Sequence, residues 1–78
     1  MQSFSVRLSS IADVKSFVNA ACEQPFDIDL VSGRYVVDAK SIMGIFSLDL
    51  SKAITVEVHG TEQDGRVFHE AVKNFTEK

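Results

Sequence analysis

Three short segments of this chain alternate apolar and polar residues, and this alternation is the feature that most restricts the fold. The apolar positions are Phe4, Val6 and Leu8, then Phe26, Ile28 and Leu30, and finally Ile54, Val56 and Val58. A period of two is typical of a strand that buries one face and exposes the other. The sequence therefore predicts an antiparallel sheet that is covered on one face only.

Two amphipathic helices are predicted between and after these strands. Ser10 followed by Asp13 is an N-cap signal, and helical spacing continues to Cys22, before Pro25 ends the helix. Its apolar stripe consists of Ile11, Val14, Phe17, Val18 and Ala21. The second stripe begins after Glu62 and consists of Val67, Phe68, Ala71, Val72 and Phe75, with Lys73 and Lys78 toward the end. Each stripe is suited to pack against the sheet.

The remaining elements complete one domain, residues 1–78. The first strand is predicted from Ser3 to Leu8, and a turn at Ser32-Gly33 joins the second strand to a return strand near Tyr35. A short apolar helix follows Ser41. The predicted order is β-α-β-β-α-β-α, which is an α+β fold with a four-stranded antiparallel sheet and three helices on one face.

The composition excludes several classes of function. A net charge of −3 and only eight scattered Lys and Arg residues leave no basic face for nucleic acid. No apolar run approaches the roughly 18 residues of a membrane span, and the N-terminus does not resemble a signal peptide. The single cysteine, Cys22, cannot form an intramolecular disulfide and is expected to be a small buried apolar residue. We therefore expect a cytoplasmic protein.

An unusually apolar decapeptide lies in the second half of the chain. It reads Ala39-Lys40-Ser41-Ile42-Met43-Gly44-Ile45-Phe46-Ser47-Leu48. A helix this short shows apolar groups on nearly every side, so some of them must face water or a partner. This decapeptide resembles the regulatory-serine segment of HPr, the phosphocarrier protein of the bacterial sugar phosphotransferase system, in the form found in Gram-positive members.

The resemblance implies an HPr-like open-faced β-sandwich and a set of protein partners. These are HPr kinase/phosphorylase, a catabolite-control transcription regulator and Enzyme I. It implies phosphorylation of Ser41, whose phosphate would gain from free helix N–H groups. It also implies a partner-binding surface of Lys40, Ile42, Met43 and Phe46, with the last three exposed, while Ile45 and Leu48 are expected in the core. An alternative is that Ser41 only caps the short helix.

The carrier site of the family is replaced in this chain. The family motif is Gly-Leu-His-Ala-Arg-Pro-Ala, and the resemblance places its histidine at Ser10, its arginine at Ala12 and its proline at Asp13. A serine phosphate ester is too stable to be handed on, Ala12 lacks the guanidinium that would hold phosphate oxygens, and Asp13 would repel them. The chain therefore resembles a degenerate member, similar to the catabolite-repression HPr paralogue that lacks the histidine.

The other polar residues suggest no catalytic or metal chemistry. His59 and His69 are expected at the surface or its boundary without an acid-base partner, and Asp27, Asp29 and Asp38 on a solvated sheet face. No metal-ligand spacing, catalytic motif or cofactor site is apparent. Three functions remain open: a non-enzymatic regulatory binding protein, a phosphocarrier that uses one of the two histidines, and a structural or decoy domain.

Overall fold

The computed structural model describes residues 2–76 and confirms the predicted fold class and order of elements. The strands are β1 (Gln2–Val6), β2 (Asp27–Ser32), β3 (Tyr35–Asp38) and β4 (Ile54–His59). The helices are α1 (Ile11–Cys22), α2 (Ile42–Phe46) and α3 (Glu62–Ala71), and a 3-10 turn at Lys73–Phe75 follows. Lys78, predicted near the end of the last helix, lies outside the described residues.

The sheet has the strand order β1-β4-β2-β3, and every neighbouring pair is antiparallel. Val6 pairs with Ile54 at one end of the sheet, whereas Asp27 pairs with His59 at the other. Because paired residues point to the same face, this register places all the buried strand residues under the helices. The opposite face of the sheet is open.

The connection between β2 and β3 is a two-residue hairpin loop, since Ser32 pairs with Tyr35. Gly33 has φ +60, and Arg34 does not have a positive φ. A positive φ at only the first loop position is the pattern of a type II′ turn, which matches the twist of the flanking strands. This turn fixes the register of β3 and explains the predicted Ser32-Gly33 signal.

The hydrophobic core lies between the sheet and the helices. Its buried members are Val6, Leu8, Val14, Phe17, Ala21, Ile28, Leu30, Ala39, Ile45, Leu48, Ile54, Val56, Val58, Phe68 and Val72. Phe17 and Phe68 meet edge to face, with ring centroids 5.5 Å apart, which joins α1 to α3. Ile45 and Leu48 are buried as predicted. Within residues 2–76, each helix falls short of the length and hydrophobicity needed to cross a bilayer.

Several expectations about boundaries and burial are wrong. β1 ends at Val6, before the predicted Leu8, because the next residue leaves the sheet: the Arg7 N–H donates to the Phe75 carbonyl at 2.8 Å. Ile11 and Val67 are 63% and 45% exposed, so the apolar stripes of α1 and α3 are wider than the faces that they bury. Cys22 is exposed rather than buried, since α1 ends there at the margin of the core.

A close approach between β1 and α3 explains the glycine inside α3. Gly65 is buried, and a Cβ atom at this position would collide with the Cβ and Cγ atoms of Gln2. Glycine normally lowers helix stability by about 1 kcal/mol relative to alanine. Here its lack of a side chain allows α3 to pack directly against the edge strand.

Candidate functional site

The N-terminus of α1 is built from a short polar loop that follows β1. Ser10 has extended φ and ψ of −143 and 165, and its Oγ accepts a hydrogen bond from the Asp13 N–H at 3.1 Å. The Asp13 Oδ2 in turn accepts from the N–H and hydroxyl of Ser9, at 3.1 and 3.0 Å. The Ser10 side chain therefore satisfies the free Asp13 N–H in the first turn, and the Asp13 side chain ties the residue before the cap to the helix.

Asp13 remains charged in this arrangement. The hydrogen bonds from Ser9, first from its hydroxyl and then from its backbone N–H, hold the pKa of Asp13 below its ordinary value, because they favour the carboxylate. A helix N-terminus attracts anions through its free N–H groups and its dipole. In this chain a carboxylate of the protein itself stands in the first turn, bonded to Ser9, beside an Ala12 side chain that offers no donor.

The N-terminus of α2 is built in a similar way around Ser41. Ser41 is exposed, has φ −108 and ψ 107, and accepts a hydrogen bond at its Oγ from the Gly44 N–H at 3.2 Å. Ser41 N–H donates to the Asp38 carbonyl at 3.0 Å, which ties the helix start to the end of β3. Ser41 is therefore both a capping residue and an accessible hydroxyl.

Lys40 has a structural contact of its own. Its ammonium donates to the Gln24 carbonyl at 3.0 Å, and its backbone N–H donates to Asp38 Oδ1 at 2.8 Å. The Cys22 thiol donates to the Lys40 carbonyl at 3.8 Å. These contacts hold the segment before α2 against the C-terminal end of α1, so the Lys40 side chain is half-buried.

The exposed apolar surface of α2 is narrower than predicted. Met43 is 77% exposed and Phe46 41% exposed, as expected. Ile42 is instead half-buried and packs against the hydrophobic core. The outer face of α2 therefore presents Met43 and Phe46 to solvent.

A groove joins this face to the N-terminus of α1. It has a volume of about 520 Å³ and is lined by Arg7, Leu8, Ser9, Ser10, Ile11, Phe46, Leu50 and Ser51. The exposed side chain of Ile11 thus lies on the same groove as Phe46. Sequence reasoning placed Ile11 on the buried stripe and did not include Arg7 or Leu50, since only the packing of α1 beside α2 brings these residues together.

Neither histidine lies at this groove. His59 ends β4, at the opposite end of the strand from Ile54, and a six-residue strand separates those ends by about 17 Å. Its Nε2 lies 2.8 Å from Asp29 Oδ2, so the expectation of no acid-base partner is wrong for His59. His69 lies on α3 and meets the Phe4 ring edge to face, with centroids 4.6 Å apart.

The fold defines the architectural class of this protein: an open-faced β-sandwich, with the helices covering one face of an antiparallel sheet. A family model described as "PTS HPr component phosphorylation site" matches residues 13–78. No curated protein matches the chain. The matched range begins just after Ser10 and Ala12.

Solved structures agree with this class. The HPr phosphocarrier protein of Bacillus anthracis is 27% identical, with 97% of this chain and 96% of that chain covered and a TM-score of 0.74. HPr-C-His of Thermoanaerobacter tengcongensis is 23% identical over 95% and 89% of the two chains, with a TM-score of 0.79. A histidine-containing phosphocarrier protein of Mycoplasma is 18% identical over 94% and 89%, with a TM-score of 0.76.

The chain belongs to the HPr family. Its family and fold are those of phosphocarrier proteins of the phosphotransferase system, which have protein partners in that system.

Proposed function

We propose that the chain is a non-enzymatic regulatory binding protein of the phosphotransferase system that no longer carries phosphate on histidine. It would act in the cytoplasm as one domain, residues 1–78. The observation that carries the proposal is the N-terminus of α1, where Ser10 and Asp13 form the cap and neither histidine lines the adjoining groove. The family match begins at residue 13, after Ser10 and Ala12, which supports the same interpretation.

The chemistry of the two phosphates explains why a serine cannot replace the carrier. A phosphohistidine is a phosphoramidate, so its phosphoryl group is readily passed on, whereas a serine phosphate is a stable ester. A phosphoryl group at Ser10 would also meet the Asp13 carboxylate, which already uses the donors of Ser9. This site therefore neither binds nor transfers a phosphoryl group in our proposal.

Ser41 is the proposed site of regulation. Its hydroxyl is exposed, and it stands beside Met43 and Phe46 on the surface of α2. A phosphate there would add roughly −1.5 to −2 charge units next to an apolar contact surface, and it would leave the hydrophobic core unchanged. Such a change alters recognition more than folding. The proposed partners are HPr kinase/phosphorylase and a catabolite-control transcription regulator, with Enzyme I as a further candidate.

The proposed docking surface combines α2 with the groove beside it. Met43, Phe46 and Ile11 are large apolar side chains that remain exposed in the folded chain. Exposed aromatic and methionine side chains near a polar rim are common in protein interfaces. Lys40 and Ile42 were predicted as members of this surface, and both are half-buried. We propose that they support the surface.

Phosphorylation is tested by intact-mass measurement after incubation with ATP and the HPr kinase of the source organism. We expect one acid-stable phosphate on the parent chain. Ser41→Asn keeps a capping side chain but removes the hydroxyl, and it should take up none. Ser47→Ala is the matched control, since this hydroxyl donates to the Gly44 carbonyl at the other end of the same helix. A phosphate that persists in Ser41→Asn would refute the assignment.

Carrier activity is tested with Enzyme I and phosphoenolpyruvate. We expect no acid-labile phosphate on the parent chain, and a gain of one when Ser10→His, Ala12→Arg and Asp13→Pro are combined. If the parent chain is phosphorylated and the phosphate disappears in His59→Ala or His69→Ala, the protein is a phosphocarrier and the proposed loss is wrong.

Docking is tested with the phosphorylated chain and the transcription regulator. Met43→Ser together with Phe46→Ser should weaken binding by at least about tenfold, as loss of interface anchors does. Val67→Ser is the matched control, because Val67 is similarly exposed but lies on α3. Equal binding by all variants, with no effect of phosphate, would leave the decoy function as the better description.

A further inference from the structure

The open face of the sheet carries a cluster of metal-ligating side chains that the regulatory site does not use. Asp29 of β2 and Glu57 of β4 stand directly opposite each other, and His59 follows two residues later on the same face of β4. One donor atom from each of Asp29, Glu57 and His59 can be chosen so that all three lie within 4.8 Å of one another. Cross-strand pairing thus assembles three ligands that are far apart in the sequence.

The charges around this cluster are unbalanced. Asp29 is paired with Glu57 on one side and with Asp38 on the other, while Asp27 is paired with His59. Like charges directly opposite each other in a sheet are destabilising. Within residues 2–76, the paired strand residues on this face include no Lys or Arg. The His59 ring donates a hydrogen bond to Asp29 at 2.8 Å, and this bond stabilises one of the four carboxylates, which are Asp27, Asp29, Asp38 and Glu57.

The donor set indicates which kind of cation fits. Mg²⁺ and Ca²⁺ prefer oxygen ligands alone, whereas an imidazole nitrogen with carboxylates favours Zn²⁺ and related transition metals. Zinc bonds of about 2.0–2.2 Å place tetrahedral ligands about 3.3 Å apart, so the separations here require side-chain shifts of about 1 Å. The His59 and Asp29 side chains are 40% and 34% exposed, which leaves room for the shifts and for an ion to enter.

We infer that Asp29, Glu57 and His59 form a zinc-binding site on the open face of the sheet. His59 Nε2 would provide the nitrogen ligand, Asp29 and Glu57 one oxygen each, and water the fourth position. Asp27 and Asp38 flank the site and would raise its attraction for a cation. Binding releases any proton held by the imidazole, because only the neutral ring can coordinate a metal. The ion would join β2 to β4 and neutralise the opposed carboxylates.

This inference departs from the expectation that the chain has no metal site. The sequence shows no ligand spacing because Asp29 lies in β2 and Glu57 in β4. The β2–β4 register is what makes the three side chains neighbours.

The test is calorimetric titration of the untagged chain with ZnCl₂, together with thermal unfolding with and without the metal. We expect one zinc per chain and a rise in Tm that increases with zinc concentration. Added Co²⁺ should give the visible absorption of a cobalt ion with nitrogen and oxygen ligands. MgCl₂ should have at least tenfold weaker affinity, and equal affinity for magnesium would refute the role of the imidazole.

Three variants identify the ligands. His59→Ala should weaken zinc binding at least about tenfold and remove the effect on Tm. His69→Ala is the matched histidine control and should bind zinc as the parent chain does. Cys22→Ser should also bind normally; loss of binding in Cys22→Ser but not in His59→Ala would overturn the site. Thermal unfolding without metal shows that each variant is folded.

Discussion

Replacing Ser41 by alanine tests whether this serine supports the docking helix in addition to any role in regulation. The Ser41 Oγ accepts from the Gly44 N–H at 3.2 Å, and alanine leaves that donor without its partner from the chain. Loss of a serine cap costs about 1 kcal/mol. With about 2.1 cal/mol/K of unfolding entropy per residue, a 78-residue chain loses about 6 °C of Tm for each kcal/mol.

Ser41→Asn provides the comparison. Asparagine caps helices about as well as serine, so the free energy of unfolding of Ser41→Asn should stay within a few tenths of a kcal/mol of the parent value. This corresponds to a difference of about 2 °C in Tm. Circular dichroism during heating measures both shifts. Hydrogen exchange of the Gly44 amide adds a local measurement, since α2 has only five residues and can open before the sheet does.

Two results would contradict the reasoning. The first is a parent-like Tm and parent-like Gly44 exchange in Ser41→Ala, which would mean that the capping bond contributes nothing. The second is an equal loss in Ser41→Asn, which would assign the effect to the hydroxyl itself rather than to capping.

Three further predictions follow from other parts of the structure. Because the pKa of Asp13 in the folded chain is lowered from 3.8, its contribution to stability is present above that pH and declines as the pH falls below it. Asp13→Asn should therefore make the free energy of unfolding fall less steeply as the pH is lowered in the acid range. Urea unfolding at several acid pH values measures this slope, and an unchanged slope in the variant would refute the prediction. Gly65→Ala should destabilise the chain by about 1–2 kcal/mol in urea unfolding, since the collision with Gln2 outweighs the gain in helix propensity. A more stable variant would contradict this, because it would mean that β1 moves aside at little cost. Cys22 should react with a thiol reagent in the folded chain at nearly the rate of the unfolded chain, and strong protection would contradict its exposure.

The fold was predictable because each strand and helix has a recognisable local sequence pattern. Alternation at Ile54, Val56 and Val58 fixes which face of β4 is buried, and Gly33 marks a turn that needs a positive φ. Short-range patterns of this kind determine the type and order of elements. Boundaries were less predictable, because β1 ends where Arg7 turns to the carbonyl of Phe75, a contact distant in sequence.

The candidate site was only partly predictable. Met43 and Phe46 belong to a run too apolar to be buried entirely, so their exposure follows from the sequence. Ile11 has the spacing of a core residue, and only the position of α1 beside α2 shows that it faces the groove. The His59–Asp29 contact likewise depends on the register between β2 and β4, which no local pattern encodes.

The position of β4 in the middle of the sheet determines when the domain can fold during synthesis. β4 is the last strand to leave the ribosome, yet it provides the partners of both β1 and β2. Until residues 54–59 emerge, β1 has no neighbouring strand and the β2–β3 hairpin has one open edge. Closing a loop of about 50 residues to join β1 to β4 is slow compared with local helix formation. The nascent chain therefore exposes apolar strand faces until β4 is available to pair with β1 and β2.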